Sequence, residues 1–215
     1  MSLTFPRDIL ADFPGTSVRF ECVPQIQADP TRSGRQITSD LGPALWEATY
    51  QSKRLKPNEL KAWKARLLSL QGQTFIAYDK TACFPILYPK GGWPTGESFD
   101  GIASLSVVSM DSRTVTLAGL PDGYTVSVGD YLSFAYGDAQ ALHQAMESVT
   151  AGGAGTAAFE VRPEIRPGHG AEDSPAPDVA LVKPHAVMVL VPGSVNADSD
   201  LSGRGTVSFS GRQTI

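Results

Sequence analysis

Residues 126–167 read VSVGDYLSFAYGDAQALHQAMESVTAGGAGTAAFEVRPEIRP. Hydrophobic and polar side chains alternate here, the pattern of half-buried strands. Gly129-Asp130 supplies a turn, since glycine accepts positive φ and aspartate can bond its own backbone. Pro163 ends the last strand, because proline has no N–H to donate to a neighbour. The stretch therefore predicts short strands joined by tight turns, with a strand or short helix at 138–146.

Two more strands are predicted just upstream, at 103–108 and 114–117. With those of the opening stretch they make six short strands between residues 101 and 163, which predicts a small barrel or sandwich. The glycines at 152–155 lack the lysine of a phosphate-binding loop, so they indicate a hairpin turn.

One segment has the periodicity of an α-helix. Pro57 suits a first turn, where its missing N–H is not needed, and Gly72 is placed to end the helix in the left-handed conformation. The apolar residues form a single stripe at helical spacing: Leu60, Trp63, Leu67 and Leu70. A helix over residues 57–71, packed on a sheet through this stripe, is therefore predicted.

The N-terminal half otherwise predicts strands. Residues 16–24 alternate and form the first strand, whereas the polar, proline-broken 25–34 predicts a loop. Residues 36–55 form one long bent strand or two strands. Trp46 in this segment is expected to anchor the core, the alternative being an exposed interface residue. A further strand is expected at 74–79.

The first 14 residues are less regular. Phe5, Ile9, Leu10 and Phe13 fit a short helix or turn. A terminal arm that docks on a neighbouring subunit is equally compatible with them.

The order of strands predicts a discontinuous domain. Two apolar segments near the C-terminus, 179–191 and 206–209, are too few to form a core alone, so they are expected to pair beside residues 18–22. Residues 1–98 and 176–215 would then form one β domain. Residues 99–175 would be an inserted small β module with its linker. The predicted fold class is mainly β, with two sandwich-like or barrel-like units and one helix on the first sheet.

Charge and hydropathy argue against two classes of partner. The formal net charge is −4, whereas nucleic-acid binding usually needs a basic face. No stretch approaches the ~18 apolar residues of a membrane helix, and the N-terminus lacks a signal-peptide pattern. We therefore expect no nucleic-acid partner, no membrane partner, and synthesis and folding in the cytoplasm.

The two cysteines, Cys22 and Cys83, lie in apolar alternating stretches. Buried, reduced thiols are expected. A disulfide is the alternative, although it would be unusual in a protein assembled in the cytoplasm. Neither cysteine has a C-x-x-C partner or a nearby histidine, which argues against a metal site.

Sequence motifs for catalysis or metal binding are incomplete. His143, His169 and His185 have no nucleophile of the G-x-S-x-G type to act with. The oxygen-rich 196–200 segment has Leu201 where a calcium loop needs glycine, so an Asx turn is expected instead. We therefore predict no catalytic, cofactor-binding or metal-binding residues, no cofactor, and a protein that is not an enzyme.

Several short motifs occur in a recognisable order. A Gly129-Asp130-Tyr131 turn is followed by Leu142-His143, by Thr150-Ala151 with a glycine turn, and by the exit Arg162-Pro-Glu-Ile-Arg166. The helix end and next strand read L-Q-G-Q-T-F, residues 70–75. This order resembles a family of tail structural proteins of bacteriophages and prophages. The resemblance implies a distal-tail or baseplate-adaptor protein that forms homo-oligomers, contacts other tail proteins and resides in the virion after assembly in the bacterial cytoplasm.

Four residues are candidates for interface or ligand contacts. Arg162 and Arg166 flank the exit of the inserted module, where they would either bind carboxylates of a neighbour or be surface charges. Trp93 is expected to plug the domain junction. In the alternative function, a carbohydrate-binding β module, Trp93 and Tyr136 would stack on a host-surface glycan. A cell-wall hydrolase is disfavoured, because no pair of carboxylates is apparent.

Overall fold

The computed structural model of the chain describes residues 3–30, 32, 34, 36–94, 98–137 and 139–214, and at residue 40 the backbone alone. Strands dominate these residues and form an open sheet, a closed barrel and a small two-stranded sheet. One α-helix, α1 (Pro57–Leu68), and a short 3₁₀ turn at Pro89–Gly91 complete the described part. The predicted fold class, mainly β with two β units and one helix, is confirmed.

In chain order the strands are β1 (Gly15–Pro30), β2 (Gln36–Ser52), β3 (Thr74–Ala77), β4 (Ile102–Val108), β5 (Thr114–Ala118), β6 (Thr125–Val126), β7 (Tyr131–Tyr136), β8 (Ala139–Ala145), β9 (Val149–Thr150), β10 (Ala157–Arg162), β11 (Asp178–Ala180), β12 (Ala186–Leu190), β13 (Asn196–Ser199) and β14 (Gly205–Gln213).

The open sheet has the order β1-β2-β14-β12-β3, and β13 pairs with β14. The C-terminal strand therefore does join the N-terminal strands. Its partner differs from the prediction, because Phe209 of β14 lies opposite Tyr50 of β2 and not beside residues 18–22 of β1. The reason is that β1 and β2 already form a hairpin, so the open edge of β2 receives β14.

Helix α1 packs on one face of this sheet. Its buried side chains are Leu60, Trp63 and Leu67, which belong to the same core cluster as Tyr50 and Phe209. The Lys56 N–H donates to Glu59 Oε2 at 3.0 Å and so supports the first turn. The helix ends at Leu68, three residues before the predicted end, but Gly72 adopts the predicted left-handed conformation with φ of +71°.

The barrel closes in the order β10-β5-β4-β11-β7-β8. Its interior is filled by side chains with no exposed area: Leu105, Val115, Leu117, Phe134, Phe159, Val161 and Val179. The helical alternative for 138–146 is wrong where the chain is described, because residues 139–145 form β8; residue 138 lies outside the described residues.

Strand β11 was not expected in the barrel. Val179 lies opposite Ala103 of β4 and Phe134 of β7, so the apolar run 179–191 is divided between the two β units. Its second part, β12, pairs with β3 and β14 of the open sheet. The division into 1–98 plus 176–215 and an inserted 99–175 stays a prediction, and β11 shows that the linker returns through the barrel.

The N-terminal segment packs on its own chain. Arg7 forms a parallel bridge with Phe75, and Leu10 and Phe13 are buried. Lys80 Nζ donates to the carbonyl oxygens of Leu10 and Phe13 at 2.8 and 2.9 Å. The segment is thus held by its own chain, and docking of this segment on a neighbouring subunit stays a prediction.

Both cysteines are free thiols. Cys22 and Cys83 are half-buried, less than the sequence predicts. Desolvation raises the pKa of the Cys22 thiol to about 11 and raises that of Cys83 as well. Neither thiol is thereby activated as a nucleophile at neutral pH.

Asp130, in the turn before β7, ties that turn to the segment that crosses between the two β units. Its carboxylate accepts from the Ser127 N–H and from the Ile86 N–H, each at 2.8 Å. The side chain is 6% exposed, and burial raises its pKa while the two hydrogen bonds act in the opposite direction. The carboxylate is therefore the acceptor for two partly buried backbone donors.

Asp130→Ala is expected to lower the free energy of unfolding by about 2 kcal/mol, because two backbone donors lose their acceptor. Urea unfolding followed by circular dichroism measures the change. Asp122→Ala is the matched control, since Asp122 occupies a neighbouring turn with an exposed side chain. Equal midpoints for the two variants would contradict the role assigned to Asp130.

Candidate functional site

A groove runs along the junction between the open sheet and the barrel; we call it the junction groove. Three adjoining cavities of about 420, 30 and 530 Å³ compose it. The central cavity shares lining residues with both neighbours: Ala44, Pro163 and Glu164 with the first, and Tyr136, Ala139 and Thr214 with the last. The groove thus extends from the base of the β1–β2 hairpin to β3 and β12.

Direct hydrogen bonds fix the two walls of the groove against each other. The Trp46 indole of β2 donates to the Leu142 carbonyl of β8 at 2.7 Å. Gln213 of β14 donates to the Gln140 carbonyl at 3.2 Å and accepts from the Trp46 N–H at 3.3 Å. A ligand or partner would therefore meet a preformed surface.

Three of the four predicted contact residues line this groove: Tyr136, Arg162 and Arg166. The Tyr136 hydroxyl donates to the carbonyl oxygen of Pro167, which holds the exit segment against β7. Arg162 forms an ion pair with Glu160 at 2.5 Å and also donates to the Val161 carbonyl. Arg162 is thus already occupied within its own chain.

Arg166 differs from Arg162. Its side chain is half-buried, and no hydrogen bond or ion pair joins it to any part of the chain that the structure describes. Burial lowers the pKa of its guanidinium, while the nearby Tyr136 acts in the opposite direction. The group stays charged at neutral pH, because arginine begins from a very high pKa. Arg166 therefore presents a partly desolvated positive charge to the groove.

His143 forms the floor of the central cavity. Its Nδ1–H donates to the Pro163 carbonyl at 2.8 Å, and its ring stacks on Phe134 with a centroid distance of 5.5 Å. Burial lowers the pKa of this imidazole to about 4, with Arg166 acting in the same direction. His143 is therefore neutral at physiological pH and serves the packing of the groove floor.

Trp93, the fourth candidate, lies in an aromatic cluster at the barrel core. Its ring contacts those of Tyr88, Phe99 and Tyr124 at centroid distances of 5.7, 4.9 and 6.0 Å. Among the described residues no ring contact joins it to Tyr136. Residues 95–97 of the same loop lie outside the described part. Glycan binding by Trp93 and Tyr136 stays a prediction, and the two rings do not form one stacking surface.

The β1–β2 hairpin extends far beyond the open sheet. Residues 25–30 pair with 36–42, whereas β14 pairs with β2 at 47–51. We call residues 25–30 and 36–42 the β-arm. The prediction of a loop at 25–34 is wrong for 25–30, because the polar side chains there face solvent on a ribbon. The β-branched residues Ile37 and Thr38 were the available signal.

Apolar side chains lie exposed along the β-arm. Ile26, Ile37 and Leu41 are 52, 61 and 68% exposed. Asp29 lies directly opposite Ile37, so both project from the same face of the ribbon. The base is anchored, since Arg212 of β14 donates to Gln25 Oε1 at 2.5 Å. A fixed base with three exposed apolar side chains on the ribbon beyond it is typical of a contact element.

The oxygen-rich segment 196–200 forms local hydrogen bonds. Asp200 Oδ1 accepts from the Ser202 N–H at 2.9 Å, which is the predicted Asx turn. Asn196 and Asp198 bond to each other on β13, so part of this predicted turn is strand. In the described ranges no group of three or more His, Cys, Asp or Glu side chains is placed to hold a metal ion.

The described helices include none that is long and apolar enough to cross a bilayer. Comparison with known proteins gives no match to any family model and none to a curated protein.

Proposed function

We propose that this protein is a non-enzymatic structural component of a phage or prophage tail, of the distal-tail or baseplate kind. It acts through contacts with identical subunits and with other tail proteins, and it resides in the virion. The β-arm is the observation that carries this proposal. The motif order around residues 129–166 supports the same family.

The physical argument concerns how the β-arm stays folded. A two-stranded ribbon alone is at best marginally stable in water. Among the described residues the β-arm has no third strand, and its Ile26, Ile37 and Leu41 side chains are exposed. Contact with another chain would cover these side chains and its open edges. The proposed contact is heterologous, between the β-arm of one copy and a different surface of the next, and such contacts generate rings when they close.

Solution mass tests the proposal directly. Light scattering over a concentration series, with negative-stain images of the same sample, is expected to show a closed ring. The Ile26→Thr/Ile37→Thr variant keeps β-branched residues in the ribbon but removes apolar surface. It is expected to raise the concentration needed for half-assembly at least tenfold.

Leu201→Thr is the matched control. Leu201 is fully exposed but lies in the β13–β14 turn, away from the β-arm. Its assembly should equal that of the unmodified protein. A strict monomer at all concentrations would contradict assembly through the β-arm, and it would make glycan screening with Trp93→Ala the next experiment.

A further inference from the structure

We propose that the junction groove of one copy receives the β-arm of a neighbouring copy, with the Asp29 carboxylate of that arm bound to Arg166. This inference rests on the proposed function and identifies the surface that the β-arm contacts. It makes each subunit both a donor and a receiver.

The first argument is the electrostatic state of Arg166. Three other arginines near the groove and sheet have acidic partners: Arg113 with Glu164 at 2.8 Å, Arg162 with Glu160, and Arg212 with Glu47 at 3.4 Å. Arg166 has none among the described residues, although it is half-buried. Desolvating a charge without pairing it is unfavourable. A planar guanidinium binds a carboxylate through two parallel hydrogen bonds, so a carboxylate is the fitting ligand.

The second argument is the chemistry of the β-arm. Asp29 is exposed, and its described side-chain partner is the neutral amide of Gln27 at 3.2 Å. It shares a face with the exposed Ile37. The β-arm thus presents an acid and an apolar side chain together, and the groove presents a cation between two larger cavities of about 420 and 530 Å³. Asp29 of the β-arm and Arg166 of the groove are thus opposite in charge.

The third argument is that the Asp29 carboxylate bound to Arg166 comes from another copy and not from the same chain. Gln25 lines the groove of its own chain, and an extended strand places Asp29 roughly 13 Å further along the ribbon. From Ile26 the ribbon continues in register as far as Pro30 opposite Gln36, and among the described residues Asp29 forms no ion pair with Arg166 of its own chain. The neighbouring β-arm would instead lie beside the base of the receiving β-arm. Repeating that contact from copy to copy yields a heterologous ring.

Charge reversal tests the pairing. Arg166→Glu and Asp29→Arg are each expected to raise the concentration for half-assembly at least tenfold, measured by light scattering. The double variant Asp29→Arg/Arg166→Glu is expected to restore assembly to within about threefold of the original, because the pair is re-formed with opposite polarity. Lys64→Glu on α1 is the matched control: it changes the net charge as Arg166→Glu does, and its side chain is exposed.

Asp29→Arg gives a readout that does not depend on the integrity of the groove, since it changes an exposed position of the β-arm. Unaltered assembly in Asp29→Arg would overturn this inference, and so would a double variant no better than the singles. Loss of assembly in the Ile26→Thr/Ile37→Thr variant together with unaltered charge variants would leave the proposed function standing and reject the pairing of Asp29 with Arg166. A monomeric unmodified protein would contradict the proposed function itself, and the pairing with it.

Discussion

Replacing Trp46 by alanine is expected to lower the free energy of unfolding by about 4 kcal/mol, near the upper range for large buried side chains. Trp46 is 2% exposed, and its ring contacts Phe20 and Tyr131 at centroid distances of 5.4 and 5.5 Å. Its indole also provides the 2.7 Å hydrogen bond to the Leu142 carbonyl. Alanine would leave a cavity and a buried carbonyl without its donor.

The same substitution should also separate the two β units in their unfolding. Trp46 belongs to the open sheet, whereas Tyr131 and Leu142 belong to the barrel. Removing this shared residue weakens the coupling between them, so transitions monitored by far-UV dichroism and by tryptophan fluorescence should no longer coincide.

Trp46→Phe is the informative comparison, because it keeps an aromatic ring but removes the indole donor. We expect Trp46→Phe to lower the free energy of unfolding by about 1.5 kcal/mol, which corresponds to the loss of one buried hydrogen bond and of part of the ring's packing contacts. Chemical denaturation in urea measures both variants. A loss below about 1 kcal/mol for Trp46→Ala would show that Trp46 does not connect the two units.

The elements that could be read from the sequence are those with a local signal. The stripe of Leu60, Trp63 and Leu67 required a helix, and Gly72 required its left-handed end. The turn at Asp130 and the alternation after it located β7. In each case neighbouring residues carry enough information, because the period of the element is visible within ten positions.

The elements that were missed depend on contacts distant in sequence. Strand β11 has three residues within a longer apolar run, and its place in the barrel is set by β4 and β7. The polar composition of residues 25–34 and their interruption by Pro30 and Gly34 predict a loop, whereas residues 25–30 belong to β1. Apolar and polar residues alternate along a strand when one of its faces is buried. A ribbon with solvent on both faces lacks that constraint, so its strands show no such alternation.

The junction groove could not be derived from the sequence. Ala44, Tyr136, Arg166 and Gln213 meet there because β2, β7, the barrel exit and β14 converge. Tyr136, Arg162 and Arg166 were nevertheless predicted as contact residues from their type and position. The sequence does not distinguish the two arginines, because the pairing of Arg162 with Glu160 depends on the side-chain positions in the folded chain.

Acidification is expected to destabilise the protein through His143. The pKa of the folded-state imidazole is about 4, whereas an unfolded histidine has a pKa of about 6.5. Between these values the unfolded chain binds a proton that the folded chain does not bind, so stability falls as the pH is lowered. Protonation of His143 is expected to lower the free energy of unfolding by about 3 kcal/mol, and this loss is complete below pH ~4.

The physical cause lies in the groove. A proton on Nε2 would place a charge on a fully buried ring, stacked against Phe134 and close to the Arg166 guanidinium. Neither neighbour stabilises it, and the Pro163 carbonyl already accepts from Nδ1 in the neutral state. Protonation therefore favours the unfolded chain, which exposes the imidazole to water.

The measurement is the difference between the pH profiles of two proteins, from urea unfolding at pH 7, 6, 5 and 4. His143→Gln retains an amide donor for the Pro163 carbonyl but does not titrate, so the slope between pH 6.5 and 4 should be shallower than in the unmodified protein. Burial also lowers the pKa of His185 and raises that of Asp130, so these groups contribute to the pH dependence of stability as well. Subtracting the His143→Gln profile from that of the unmodified protein cancels their contributions, because both proteins contain them. His169→Gln is the control, because its ring accepts from the Ala171 N–H in the linker loop and not in the groove. Parallel profiles for the unmodified protein and His143→Gln would mean that the imidazole takes up its proton in the folded state as readily as in the unfolded chain. That result would contradict the low pKa assigned to His143, and the groove floor would then gain a positive charge on acidification.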